Sequence, residues 1–208
     1  MKDRRIITYI IIVSLLTVIG VSFGYFGFYV TGNGTGSIDV TTDNSLNLTF
    51  NVTKQLGFKL TQFNFIENGN NLSDSSIARA TLAGGSVSDP QSSLYSVYLN
   101  ITSNDFIYTT NDHKPELLLK VYDPSNTEIT TLTGLTYSNT YHGFDITTKT
   151  GLIAITVDNS ITSTSNTNPT VEDWTITVIA NNLDTNQADN AGASFGASVL
   201  MNSSQYSS

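Results

Sequence analysis

The chain has no cysteine. A disulfide framework and a zinc–thiolate site are therefore both excluded. Charge is scarce: Asp, Glu, Lys and Arg make up 12% of the 208 residues, nine basic side chains against seventeen acidic ones. A net charge of −8 and a pI near 4.4 leave nothing to attract a phosphate backbone, which excludes nucleic acid as a partner. Histidine occurs twice, proline four times, and no internal repeat is visible. In place of charge the chain carries Asn, Ser and Thr, roughly 36% of it by count. Hydrophobic residues at 39%, with ten Tyr and ten Phe, suffice for a packed core and argue against disorder.

Residues 6–30 contain no charged side chain, a run of 25 where roughly 20 cross a hydrocarbon layer as a helix. The run has no polar stripe of the kind a core helix in a soluble protein would show. Residues 1–5 precede it as a basic region, Lys2, Arg4 and Arg5 against Asp3. The positive-inside bias then predicts an N-terminus inside the cell and everything after residue 30 outside. A signal peptide is the competing reading. Ser22 and Gly24 are spaced like the small residues of a cleavage site, with the cut before Tyr25. The expected locations are thus a single-pass cell membrane protein or a protein secreted after cleavage near Gly24. Both export the remainder.

Residues 31–36 form a Gly-rich linker. From residue 37 to 201 the pattern has period two. Leu46, Leu48, Phe50 and Val52 alternate with Asn47, Thr49 and Asn51. Similar alternation runs through Tyr95, Val97, Leu99 and Ile101; Leu117, Leu119 and Val121; Trp174, Ile176 and Val178; and Phe195, Ala197, Val199 and Met201. Each run can bury one face and hydrate the other. Asp123, Pro124, Ser125 and Asn126 read as a turn between 117–122 and 128–132. About nine or ten strands are expected, with at most one short helix at 76–82, a surface excursion over 66–93 and a frayed tail at 202–208. The predicted fold is all-β: an antiparallel sandwich, jelly-roll or Greek-key-like, preceded by one N-terminal transmembrane or signal helix.

Several residues invite a chemical role. Asp184, Asn186 and Asp189 make an oxygen-rich stretch of the kind calcium prefers, without EF-hand spacing; a solvated acidic loop is the plain alternative. Gly192, Ser194 and Gly196 match G-x-S-x-G, but a hydrolase elbow needs a later histidine, and His113 and His142 both precede Ser194. The two histidines lack metal-site spacing. Lys120 is the best candidate for a Lys–Asn isopeptide crosslink, against the plainer reading of a strand lysine that discourages edge pairing. Six N-x-S/T sequons, from Asn33 to Asn202, are what this composition produces by chance.

Residues 21–26 (Val-Ser-Phe-Gly-Tyr-Phe), Val30 to Asn33 and the strand Leu46 to Phe50 resemble the start of TasA/camelysin-like exported proteins of Gram-positive bacteria. Trp174 to Val178, Asn182 to Gly192 and Phe195 to Val199 are similar to the closing strands of that group. The resemblance covers about half the chain and departs from the group at Gly24, where relatives often carry Ala. It implies a jelly-roll-like sandwich that, in some members, polymerises into extracellular fibres by strand donation. Relatives called metalloproteases find no ligand motif here.

The expected function is a cell-surface or secreted structural or interaction protein, a subunit of extracellular matrix fibres assembled by strand donation. Its expected partners are the lipid membrane, through residues 6–30, and further copies of itself. A glycan-binding surface module, with Tyr137 and Tyr141 near a loop, is the alternative, and a surface hydrolase or metalloprotease a further one. The expectation is of no enzyme and of no cofactor apart from calcium.

Overall fold

The structure, a computed structural model, describes residues 30–31, 40–41, 46–62, 64–66 and 69–204. The predicted N-terminal helix, the basic region and most of the linker lie outside the described residues. Among those described, no helix is long and apolar enough to cross a membrane.

Twelve strands follow one another: β1 (Val30–Thr31), β2 (Val40–Thr41), β3 (Asn47–Val52), β4 (Leu56–Lys59), β5 (Leu72–Gly84) and β6 (Gln91–Asn104), then β7 (Leu117–Tyr122), β8 (Tyr137–Ser138), β9 (Gly143–Asp145), β10 (Gly151–Ser163), β11 (Ser165–Ala180) and β12 (Ser194–Ser204). A 3₁₀ turn, Ala188–Asn190, precedes the last strand. They form two antiparallel sheets. One runs β1-β12-β6-β10, with β4 also beside β12; the other runs β2-β3-β5-β11-β7-β9-β8. Most connections cross from one sheet to the other, so chain neighbours are seldom sheet neighbours.

The core lies between the sheets. From the first come Tyr95, Val97 and Leu99 on β6, Phe195, Val199 and Met201 on β12, and Ile161 on β10. From the second come Leu48, Phe50 and Val52 on β3, Trp174, Ile176 and Val178 on β11, and Leu117, Leu119 and Val121 on β7. The alternation read from the sequence is the alternation of burial, because successive strand side chains point to opposite faces. A buried polar chain joins the layers: Trp174 Nε1 donates to the buried Tyr95 hydroxyl at 2.8 Å, which donates to Glu172 Oε2 at 2.5 Å. Asn159 Nδ2 donates to the same Glu172 oxygen at 2.8 Å.

Four expectations are corrected. Residues 76–82 form no helix but lie in β5, between β3 and β11. Ser76, Ala78, Ala80 and Leu82 face inward while Ile77, Arg79 and Thr81 face out. Ala, Leu and Arg favour helix locally, but the propensity difference is well below 1 kcal/mol per residue, and burial between two partner strands overrides it. Residues 66–93 are accordingly no surface excursion, since most of them are ladder. Residues 128–132 make only a single bridge, Glu128 to Tyr122, although the preceding turn forms, with Asn126 N–H on Asp123 O at 2.8 Å. Asn202–Ser204 are the end of β12 rather than frayed; residues 205–208 lie outside the described residues.

Candidate functional site

Strand registers gather three loops at one end of the sandwich. Leu72 and Leu117 both stand opposite Ala180, Ser194 opposite Lys59, and Phe195 opposite Asn104. The described parts of 60–71, with 105–116 and 181–193, therefore meet there. Polar side chains tie them together. Asn190 is buried and bonded in both senses to Ile107: its Oδ1 accepts the Ile107 N–H at 3.0 Å and its Nδ2 donates to the Ile107 carbonyl at 2.9 Å. Asn182 Nδ2 donates to the carbonyls of Ile66 (2.7 Å) and Gly69 (3.1 Å). Gln187 Oε1 accepts the Leu183 N–H at 2.9 Å, and its Nε2 donates to the Asn181 carbonyl at 3.0 Å and to Glu116 Oε2.

Glu116 is the anchor of this network. It is 1% exposed, and no ion pair among the described residues includes it. Neutral donors surround it instead: the Thr109 N–H at 2.9 Å, the Thr109 hydroxyl and Gln187 Nε2. A buried acidic group is tolerable only when its oxygens are hydrogen-bonded in this way.

Between the described part of 60–71 and the 181–193 loop lies a cleft of about 290 Å³. Leu60, Phe65 and Ala188 supply apolar surface; Gln62, Thr185 and Asn186 supply uncharged polar groups; the locked Asn182, Gln187 and Asn190 complete much of the wall. No described side chain lining it is charged. The Thr185 hydroxyl is enclosed without a hydrogen-bond partner, which costs on the order of 1–3 kcal/mol. The described lining thus offers hydrogen bonds and apolar contact.

The sequence-selected residues disperse around it. Asp184, Asn186 and Asp189 are all exposed. Asn186 borders the cleft and its Oδ1 accepts the Ala188 N–H at 3.0 Å; Asp184 and Asp189 do not line it. Asp184 adopts a φ of 54°. Ser194 Oγ donates to Asp105 Oδ2 at 2.5 Å on the first residue of a strand, not on a strand-to-helix elbow. His113 stacks on Tyr108 with ring centroids 4.9 Å apart, and His142 is an exposed turn residue with φ 51°. Among the described residues no three of His, Asp and Glu gather as a metal site. Lys120 is half-buried opposite Thr177 and enters none of the described ion pairs. The Tyr137 ring packs edge-on against Phe144 at 5.1 Å and its hydroxyl donates to Glu128 at 2.8 Å, so it is no free platform; Tyr141 is half-buried.

Two tyrosines near these groups titrate late. Burial and then the hydrogen bond and charge of Asp145 push Tyr108 up to about 12, and burial and then Glu128 do the same for Tyr137. Reading the sequence alone missed Glu116, Thr185, Gln187 and Asn190. The only signal was the density of amides between two strand patterns, which says nothing about which loops they meet. No family model, curated protein or solved structure matches the chain.

Proposed function

We propose that the chain is a cell-surface or secreted structural protein that assembles with copies of itself by strand exchange. The apolar run at 6–30 would deliver it across the membrane, either as a single-pass anchor with the N-terminus inside or as a leader removed near Gly24. The sandwich would then stand outside, Greek-key or jelly-roll-like in its connections, a reading supported by how often the chain crosses between sheets. No catalytic role is part of the proposal.

The observation that carries it is the outer edge of β12. Opposite β6 this strand is paired over ten positions, from Phe195 to Ser204. On its other side, among the described residues, β4 covers Ser194–Ala197 and β1 pairs with Leu200 and Met201. On the second sheet β2, among the described residues, covers Asn47 and Leu48 of β3. Sheet edges carry unpaired N–H and C=O groups that accept an added strand. A longer extended segment, such as residues 37–43 of a neighbouring copy, would pair more of either edge than these two-residue ladders do.

Electron microscopy of the purified chain with and without residues 31–45 tests this. Filaments from the complete chain and none from the shortened one are expected; equal filament formation in both rejects strand donation. N-terminal sequencing of the native protein decides processing, a start at Tyr25 marking a cleaved leader. The calcium expectation at Asp184, Asn186 and Asp189 is tested by a thermal melt with and without chelator, where an unchanged midpoint removes it.

A further inference from the structure

We propose that the cleft between the described part of the 60–71 loop and the 181–193 loop is a binding site for one neutral sugar residue. This stands apart from the assembly reading and moves the glycan-binding expectation from Tyr137 and Tyr141 to different residues.

Three observations converge on that ligand class. The first is charge. In a chain of net charge −8, the described lining of this cleft carries none. A charged ligand would lose its hydration there and meet no counter-ion. The second is the mixture of surfaces. A pyranose ring presents apolar C–H faces and a rim of hydroxyls that both donate and accept. The cleft matches with Phe65, Leu60 and Ala188 for the faces, and with amides and a hydroxyl for the rim. Apolar walls with a few placed polar groups are the usual composition of small-molecule sites. At about 290 Å³ the volume suits a single ring rather than an extended chain.

The third is preorganisation. Asn182, Gln187 and Asn190 are held by hydrogen bonds within their own loop and to neighbouring ones, so the wall needs little ordering when a ligand arrives. The groups left over are few. Gln62 makes no hydrogen bond among the described residues, and the Thr185 hydroxyl is enclosed and unpartnered. Asn186 uses its Oδ1 on Ala188, which leaves its Nδ2 to donate. Rotation of Thr185 about χ1 would bring its hydroxyl to a ligand in the cleft.

The test is calorimetric titration of the full chain with glucose, galactose, mannose and N-acetylglucosamine, and with glucuronate as the charged control. The β1,4-linked dimers of glucose and N-acetylglucosamine form a further arm. Saturable binding of at least one neutral sugar is expected, with glucuronate about tenfold weaker or more. Equal affinity for monomer and dimer indicates a free sugar, and tighter binding of the dimer indicates the end of a polymer; both support the site. Ala188→Trp, which fills the cleft, should abolish binding, and Gln62→Ala should weaken it about threefold or more, with the melting curves of both showing an intact fold. Thr185→Val should weaken binding while raising the melting midpoint. The proposal is overturned if no neutral sugar binds at tens of millimolar, if glucuronate binds as well as glucose, or if the folded Ala188→Trp chain binds unchanged.

Discussion

Tyr95 holds the two sheets together through one oxygen. It accepts from Trp174 and donates to Glu172, both on the opposite sheet. Tyr95→Phe keeps the ring, which lies 6.0 Å from Phe50, but leaves two partly enclosed groups short of a partner. A loss of about 1–3 kcal/mol is expected in denaturant unfolding. Burial and the Glu172 bond also raise the Tyr95 phenol well above its ordinary value. Spectrophotometric titration should therefore show a late-ionising tyrosine fraction, to which Tyr95, Tyr108 and Tyr137 contribute. The sign follows directly. For Tyr108 and Tyr137 the folded value of about 12 exceeds the ordinary value of 10.0. Their contribution to stability is complete below pH ~10 and is lost as pH rises to ~12. Gly85 is a different kind of constraint. Its φ is 71°, and a Cβ there would sit 2.8 to 2.9 Å from three backbone atoms of Ser163, Asp89 and Gln91. Backbone cannot step aside as a side chain does, so Gly85→Ala should cost about 2 kcal/mol or more. None of this was legible from the residue itself: Gly85 reads as loop punctuation, and Tyr95 as one member of an alternating run.

At the scale of elements, β5 is the instructive strand. Its inward face is built of Ser76, Ala78 and Ala80, and Phe50 stands directly opposite Ala80 on β3. Small residues on the central strand make room for rings beside it. Ala80→Leu should therefore destabilise by about 1–3 kcal/mol, although Leu is the more hydrophobic residue, because the added volume has no room beside Phe50. Where the inward residues are large, as on β3, β7, β11 and β12, period two was plain in the sequence. Where they are Ser and Ala, it was hidden, because such residues carry little hydrophobic contrast. The start of β4, where it meets the start of β5, shows an electrostatic element. Burial alone would raise the Asp74 carboxyl, but Lys54 and the N–H groups of Gly57 and Ser75 outweigh it and hold it below its ordinary value. Its contribution is present above the usual carboxylate range and is lost as pH falls through the folded value. An Asp74→Asn chain should show a shallower decline in melting midpoint on acidification than the parent.

For the whole molecule, the composition and the architecture agree on an antiparallel β-sandwich with few charges and no disulfide. Its stability rests on one core between two sheets. Intact mass is expected to equal the residue sum, since Lys120 faces no carboxylate in the described ion pairs; a loss of one ammonia would instead establish an isopeptide bond. The strand faces, the turn at Asp123 to Asn126 and the uncharged run at 6–30 were all determined by the sequence alone, because each rests on spacing or composition within a short window. The order of strands in the sheets, and with it the meeting of Leu60, Phe65 and Gln187 around one cleft, was decided only in the tertiary structure. Period two says which face of a strand is buried but not which strand lies beside it. That choice is made by how two whole faces pack against each other, across separations of up to a hundred residues and more.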